Sequence, residues 1–280
     1  MYSRAGKMAG VVFVLWGLLG PAGIAAGEAA SRPAATATAS APATRPAPLD
    51  PAVERILDRL EKRTVTDLEG EIVYIKRDPI LEDEQKFQGV LLFLQDKPNP
   101  RFFIRFDRVV HEGITQEKKE WHVFDGEWYI EARERTETIT RRQIVRPGEK
   151  LDVFQLGQGP FPLPFGQKKE NIVKHFAVKL VPSRPDDPKG TKDTDHLECT
   201  PLPDTEMDRK YGKVHFYIDR VLDLPVCVQT VEKEEGKEIT ATFSSIKVNK
   251  GLAASRLNLP DLKYEPTTIP LPEPERGKPP

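Results

Sequence analysis

The residues of this chain that could do chemistry are its histidines, its cysteines and a cluster of aspartates. The histidines do not fall at the spacings of metal ligands, and His111-Glu112 lacks the second histidine that a zinc-protease motif carries. His196 and Cys199 stand three residues apart in a strand-like run, so they point to opposite faces and cannot act together as base and nucleophile. These residue types therefore predict neither a catalytic site nor a zinc site.

Four carboxylates lie close together around Gly190, and closely spaced carboxylates can bind calcium. Their spacing is not that of an EF-hand and two lysines stand among them, so a solvated hairpin loop is favoured. The four are Asp186, Asp187, Asp193 and Asp195. The chain also lacks a G-x-S-x-G elbow and a glycine-rich phosphate loop. We therefore predict a protein that is not an enzyme and that has no metal and no cofactor.

The charge pattern excludes two further classes of partner. Lysine and arginine together number 42 and aspartate and glutamate 43, and the two signs are interleaved along the chain. This balance gives no basic footprint for nucleic acid and no polybasic patch for a membrane. The two cysteines, Cys199 and Cys227, could pair in an oxidising compartment or remain as buried thiols, and the sequence leaves both possibilities open.

The first 27 residues are typical of a secretory signal peptide. Arg4 and Lys7 precede an apolar run over 8–20, and the small residues Ala25 and Ala26 follow it. The apolar run is short for a membrane span, which needs about 20 residues, although an uncleaved anchor is the rival interpretation. We therefore expect a periplasmic or otherwise exported protein with no transmembrane segment after the signal is removed.

Composition divides the rest of the chain into three parts. Residues 28–48 are mostly Ala, Pro, Thr and Ser and predict a disordered linker. Residues 265–280 contain six prolines and predict a tail without fixed structure. The remaining residues, 49–264, have the size of a single domain.

Hydrophobic periodicity predicts the elements of this domain. One amphipathic helix is indicated over 51–63 by apolar residues at i, i+3, i+4 and i+7, with Asp50 as its N-cap. Strand patterns follow, among them a hairpin centred on Asp125-Gly126 and a run over 87–95 that is apolar on both faces. An apolar loop or short helix is expected over 151–166, where Leu and Phe alternate with Gly and Pro.

These elements predict a mainly β (α+β) fold. Roughly ten strands without β-α-β alternation indicate a curved antiparallel sheet that forms an incomplete β-barrel. The amphipathic helix and the apolar loop would serve as its lid. The domain has many large aromatic rings, which predict either a plain core or a cavity for an acyl chain, since each buried methylene contributes about 0.8 kcal/mol.

The order of these parts resembles the LolA-type periplasmic carriers of outer-membrane lipoproteins. The resemblance begins with the helix. It continues with the run from Phe87 to Leu94 and with Lys97-Pro98-Asn99 after that run. Val123-Phe124-Asp125-Gly126, followed by Trp128 and Tyr129, is similar to the hairpin of that family. Further similar segments are Phe161-Pro162-Leu163, 239–249 and 257–260. The resemblance implies a half-barrel that binds acyl chains under a lid.

The resemblance also implies roles for particular residues. The expected lipid-binding residues are Leu91, Phe93, Phe102, Ile104, Phe106, Val123, Trp128 and Ile130. The expected lid residues are Leu57, Leu60, Val153, Phe154, Leu156, Phe161, Leu163 and Phe165. The family holds its lid with an arginine before Pro-Asn, and here Lys97 takes that place as a less suitable donor.

Two hypotheses about function follow from the sequence and the resemblance. The first is a monomeric, non-enzymatic carrier whose partners are acyl chains of a lipoprotein or lipid, and possible envelope membrane proteins. The second is an envelope protein-interaction or stress-sensing module on the same fold with a filled interior. A cavity that admits an acyl chain would favour the first hypothesis, and a filled interior the second.

Overall fold

The structure is a computed structural model that describes residues 49–150 and 168–272. The signal peptide and the linker predicted over 1–48 lie outside the described residues, and so does the apolar loop predicted over 151–166. The lid residues that the sequence places in that loop (Val153, Phe154, Leu156, Phe161, Leu163 and Phe165) are therefore not described either. No helix within the described ranges is long and apolar enough to span a membrane.

Helix α1 (Pro51–Lys62) forms as the sequence predicts. The Asp50 carboxylate accepts a hydrogen bond from the Ala52 amide at 2.7 Å, which caps the first turn, and Pro51 begins the helix without needing an amide partner. The four apolar residues of the predicted stripe are all buried: Val53, Ile56, Leu57 and Leu60. α1 therefore lies with this stripe against the sheet.

The described residues contain thirteen strands, which is more than the ten that the sequence predicts. The strands are β1 (Asp67–Asp78), β2 (Asp83–Leu94), β3 (Arg101–His111), β4 (Ile114–Gln116), β5 (Glu120–Phe124), β6 (Trp128–Arg133), β7 (Thr138–Gln143), β8 (Phe176–Val181), β9 (Thr194–Pro201), β10 (Tyr211–Asp219), β11 (Leu224–Glu232), β12 (Glu238–Val248) and β13 (Pro266–Ile269). Two short helices, α2 (Lys169–His175) and α3 (Glu206–Lys210), and a 3₁₀ helix (Ala254–Leu257) complete the described elements.

All thirteen strands belong to one open sheet. Its order is β13-β7-β6-β5-β3-β2-β1-β12-β11-β10-β9-β8, with β4 paired to β3 beside this path. Every pairing is antiparallel except that of β13 with β7, which is parallel. Bulges in β3, β10, β11 and β12 bend the strands, as a curved sheet requires. The predicted fold class, a mainly β protein built on a curved open sheet, is confirmed.

The two faces of the sheet have different covers. Residues opposite each other in neighbouring antiparallel strands share a face, so the register defines what we call the helix face and the tail face. On the helix face, α1 packs against β8 to β11, where Phe216 and Val228 are buried with Leu57 and Leu60. On the tail face, residues 252–264 pack against β2, β3, β5, β6 and β7, with Leu257 fully buried.

Two sequence predictions about boundaries are corrected by the structure. The tail predicted to lack fixed structure from residue 265 instead begins with β13, because backbone pairing with the edge strand β7 needs no buried side chain. The strand predicted over 174–181 begins at Phe176, since the preceding residues form the last turn of α2. The hairpin at Asp125-Gly126 is present, and Gly126 adopts φ 109° there.

Candidate functional site

Five of the predicted lipid-binding residues lie together on the helix face. Phe93 stands opposite Phe102, and Leu91 stands opposite Ile104. Phe106 follows on the same face of β3, two residues beyond Ile104. None of the five side chains is more than 2% exposed. These five residues therefore share one buried face, and their role in binding lipid stays a prediction.

Aromatic rings extend this group into a continuous apolar surface. Phe87 lies 5.4 Å from Phe106 and 6.2 Å from Tyr74 between ring centroids. At the other end of the strands, the rings of Phe102 and Phe124 lie 5.9 Å apart. We call the surface formed by the five predicted residues and these rings the apolar row. It runs along the middle strands of the sheet from β1 to β5.

The remaining three predicted lipid-binding residues, Val123, Trp128 and Ile130, lie on the opposite face, so the eight residues do not form one surface, and a role of these three in binding lipid stays a prediction. Val123 stands opposite Phe103 and Ile130, on the tail face of the sheet. It is buried there with Ile130 in the cluster that contains Leu257, and Trp128 packs against the same cluster. Both faces of β5 and β6 carry apolar residues, so the alternation of the sequence did not identify the face on which each residue lies.

The two described lid residues, Leu57 and Leu60, are on the helix face but beside the apolar row. They are 1% and 3% exposed and pack in the cluster formed by β8 to β11. Ion pairs at both sides hold α1 in this place: Arg59 contacts Asp195 at 2.6 Å, and Lys169 of α2 contacts Glu54 and Asp58 at 2.7 and 2.9 Å. The helix therefore covers the half of the sheet next to the apolar row.

The polar residue that ties the loops together is Asn99 rather than Lys97. The Lys97 side chain is exposed, whereas Asn99 is only 2% exposed. The Asn99 amide donates hydrogen bonds to the carbonyl oxygens of Gly126 and Glu149, both at 2.9 Å. The connection between β2 and β3 is thereby attached to the β5–β6 hairpin. The asparagine stands in the Lys-Pro-Asn motif, so the resemblance contained the signal that could have identified it.

One end of the apolar row carries a cluster of partly buried charges that the sequence did not predict. Glu120 stands opposite Phe106, and His122 stands opposite Ile104, so both lie on the helix face. Arg133 binds Glu120 at 2.9 Å and also contacts Glu131. The polar cluster, as we call it, consists of Lys76, Glu120, His122, Tyr129, Glu131 and Arg133.

Burial controls the protonation of this cluster. It raises the pKa of Glu120, opposed by the positive charge of Arg133. Burial also lowers the pKa of His122 to about 3 and that of Lys76 to about 8. His122 is therefore a neutral imidazole near pH 7, and its Nδ1 lies 2.7 Å from the Tyr129 hydroxyl. The cluster thus combines two basic residues, Lys76 and Arg133, and two acidic residues, Glu120 and Glu131, around the neutral rings of His122 and Tyr129.

The other residues singled out by the sequence have structural partners. Cys199 and Cys227 are free, buried thiols whose pKa is raised by burial. The Tyr217 hydroxyl donates to Asp187 at 3.1 Å, and Asp195 pairs with Arg59 and with Arg220 at 2.8 Å. Among the residues that the structure describes, no group of three or more His, Cys, Asp or Glu could hold a metal ion.

Comparisons with known proteins find solved structures that are similar to the chain at low sequence identity. No family model and no curated protein matches the chain. Similar solved structures include an uncharacterized conserved protein from Thermus thermophilus, which is 11% identical over 78% of this chain and 99% of that one, with a TM-score of 0.43. The LolA superfamily protein NE2245 from Nitrosomonas europaea is 12% identical over 74% of this chain and 97% of its own, with a TM-score of 0.30.

MucB from Pseudomonas aeruginosa, in its complex with MucA, is a third similar structure. It is 13% identical over 74% of this chain and 61% of its own, with a TM-score of 0.35. At such identities the likeness concerns architecture alone.

Proposed function

We propose that this protein is an exported, non-enzymatic carrier that binds the acyl chains of a lipoprotein or lipid along its apolar row. The observation that carries the proposal is the row itself: an uninterrupted series of large apolar side chains on the helix face of an open sheet. Such a surface needs no polar contact to bind a hydrocarbon, since each methylene buried contributes about 0.8 kcal/mol. A chain of a dozen carbons would bind strongly even without a specific headgroup contact.

The arrangement of covers supports the same proposal. The tail face is closed by residues 252–264, whose Leu257 is fully buried, and this cover is fixed by polar contacts near its start. There the Asp67 carboxylate accepts hydrogen bonds from the amides of Lys250 and Gly251 at 2.9 and 3.1 Å. The helix face is covered by α1 over β8 to β11, beside the apolar row. A ligand would therefore bind on the helix face, while the tail face remains a permanent core.

The polar cluster fits an amphiphilic ligand. It lies on the same face as the apolar row and at one end of it, so an acyl chain along the row would have its polar end near Glu120 and Arg133. Burying ionised groups costs free energy unless they are paired, and such clusters are more frequent at functional sites than elsewhere. The equal numbers of cations and anions favour a headgroup that is neutral or zwitterionic.

A second function, a protein-interaction module with a filled interior, is favoured by one observation. The five residues of the apolar row that the sequence predicted are at most 2% exposed, as they would be in a plain core. A carrier must make this surface accessible to its ligand by moving a cover. The two functions therefore differ in whether added lipid reaches the row.

A matched pair of substitutions on the two faces tests the proposal. Ile104→Thr places a hydroxyl in the apolar row, and Val123→Thr places one on the tail face; both parent residues are at most 2% exposed. A hydroxyl buried without a partner costs about 1–3 kcal/mol, so Ile104→Thr should weaken binding of a fluorescent fatty acid by about tenfold. Val123→Thr should leave the affinity unchanged while lowering thermal stability by a similar amount.

Native mass spectrometry of the protein isolated from its own envelope provides the complementary measurement. Lipid that co-purifies with the chain, and is displaced by the fluorescent fatty acid, supports the carrier. Repeated absence of lipid, together with no uptake of the fatty acid by the unaltered protein, would refute the carrier and favour the module. Equal loss of affinity in both threonine variants would show that binding does not occur on the helix face.

A further inference from the structure

Three large aliphatic side chains project into solvent from the tips of two neighbouring hairpins. Ile80 and Leu81 occupy the turn between β1 and β2 and are 71% and 73% exposed. Ile114 follows the turn between β3 and β4 and is 60% exposed. Within the described ranges, these are three of six exposed large hydrophobic residues, and they lie at one end of the sheet. Contiguous exposed apolar groups of this kind usually mark an interaction surface.

The two tips stand side by side because β2 and β3 are paired. Gln85 stands opposite His111, and the His111 imidazole contacts the Asp83 carboxylate at 2.6 Å across the bases of the hairpins. A third hairpin, between β11 and β12, reaches the same end, where Lys237 lies 3.8 Å from Asp78. The aliphatic side chains therefore belong to one surface, which we call the hairpin tips (Ile80, Leu81 and Ile114).

The backbone of the tips is fixed, so the exposed side chains are held outward. The Asp78 carboxylate accepts hydrogen bonds from the amides of Ile80 and Leu81 at 3.0 and 3.1 Å, forming an Asx turn. In the other hairpin, Glu112 and Gly113 both adopt positive φ, which gives the tight two-residue turn that matches the twist of the strands. The exposure of Ile80, Leu81 and Ile114 is therefore a property of ordered turns.

The hairpin tips lie at the same end of the helix face as the polar cluster. Lys76, a member of that cluster, precedes Asp78 by two residues in β1 and stands opposite Gln85. Glu120 is the first residue of β5, close along the chain to the β3–β4 hairpin. A surface that contacted the tips would therefore face the polar end of the apolar row.

Size and composition distinguish among the possible occupants of this surface. A stable protein interface needs about 800 Å² on each partner, and its energy comes mainly from Trp, Tyr and Arg set in pockets. Three aliphatic side chains on two turns provide neither this area nor such anchoring residues. A bilayer, in contrast, receives single protruding aliphatic groups without any shape complementarity, at a gain proportional to the apolar area buried.

We infer that the hairpin tips dock this protein on the surface of a lipid bilayer by inserting Ile80, Leu81 and Ile114 among the lipids. This inference rests on the proposed function, because docking would bring the polar end of the apolar row to the lipids that the row takes up. The chain beside the first tip is mainly acidic, with Asp78 before it and Glu82, Asp83 and Glu84 after it. The inference therefore invokes insertion of aliphatic side chains and no attraction to anionic lipid.

A polarity-sensitive dye attached at a tip tests the insertion directly. The chain has two cysteines, both buried, so Leu81→Cys provides the one accessible thiol for labelling. The matched control is Val221→Cys in the turn between β10 and β11, at the opposite end of the sheet. Val221 is 89% exposed, and its turn is fixed in the same way, with Asp219 accepting from the amides of Val221 and Leu222 at 2.8 and 2.7 Å.

Vesicles of phosphatidylcholine, alone or mixed with phosphatidylglycerol, should shift the emission of the dye at position 81 to the blue and leave position 221 unchanged. Adding Ile80→Ser and Ile114→Ser to the labelled chain should weaken partitioning by about a hundredfold, since each aliphatic side chain contributes about tenfold. Val221→Ser added instead should have no effect.

Three outcomes would overturn the inference: no shift at position 81, an equal shift at position 221, or a shift that needs no vesicles and grows with protein concentration. The last would indicate a second copy of the chain as the occupant. Uptake of dispersed fluorescent fatty acid, measured without vesicles, reports the proposed function separately. The serine variants should retain that uptake. If the unaltered protein takes up no fatty acid, the carrier is contradicted, and the dye measurement alone then decides whether the tips dock on the bilayer.

Discussion

Asn99 should contribute more to stability than any other polar side chain in the connection between β2 and β3. Asn99→Ala removes the two hydrogen bonds to the carbonyl oxygens of Gly126 and Glu149, each 2.9 Å long. A hydrogen bond contributes about 1 kcal/mol net, and a buried acceptor left without a donor adds to the loss. We expect a decrease of about 2–3 kcal/mol in the free energy of unfolding, measured by urea denaturation at pH 7.

For a domain of this size, that loss corresponds to a decrease in Tm of about 5–10 °C. Lys97→Ala is the control: its side chain is exposed, so stability should change by no more than about 0.5 kcal/mol. Asn99→Asp should be at least as harmful as Asn99→Ala at pH 7, because a carboxylate cannot donate to the two carbonyls and would be buried with its charge. If Lys97→Ala destabilises the protein as much as Asn99→Ala, our assignment of the tie to Asn99 is incorrect.

Two further predictions concern the buried histidine and the bulge. Burial lowers the pKa of His122 to about 3, whereas in the unfolded chain a histidine has a pKa near 6.5. The unfolded chain therefore takes up this proton between pH 7 and 5 and the folded chain does not, so the free energy of unfolding should fall by about 2 kcal/mol over this range because of His122. His122→Gln should remove this contribution to the pH dependence of stability, as urea denaturation at pH 7 and pH 5 would show. If stability changes equally with pH in the variant and the unaltered protein, the lowered pKa of His122 is contradicted. Gly89→Ala should cost about 4 kcal/mol or more or prevent folding, because a Cβ there would lie 1.8 Å from the Arg105 carbonyl oxygen. Gly113→Ala, whose Cβ would meet no described atom within 4 Å, should cost only about 1 kcal/mol for its positive φ, as circular dichroism and urea denaturation would show.

The sequence predicted the parts of the fold that depend on local pattern. The stripe of α1 and its Asp50 cap are local, since a helix of this length shows its buried side through residues three and four apart. The strand β2 was equally clear as an element, because its run from Val90 to Leu94 could be buried only with both faces covered. The fold class followed from such elements and from the absence of β-α-β alternation.

The site was predicted only in part, because its location depends on which face each strand turns to α1. In β3 the two faces differ, since Phe102 and Ile104 alternate with Phe103 and Arg105. In β5, Val123 and Phe124 are both apolar and both buried, so period-two alternation does not say which one belongs to the helix face. That information comes from the register, which is a long-range property of the sheet. The polar cluster was missed for the same reason, since its members come from three strands, β1, β5 and β6, of which β1 is distant in the sequence from the other two.

The apolar residues of β5 and β6 are explained by the presence of two covers on one sheet. A single-layered sheet of this width needs a core on each face, and residues 252–264 supply the second core with Leu257 at its centre. The bidentate pair of Arg256 with Glu69, at 2.8 and 2.9 Å, fixes this cover to β1. Because the tail face has its own cover, one complete core of the sheet does not involve the apolar row. The proposed carrier would require such an arrangement, since it must exchange the cover of its apolar row for a ligand while the sheet keeps a core.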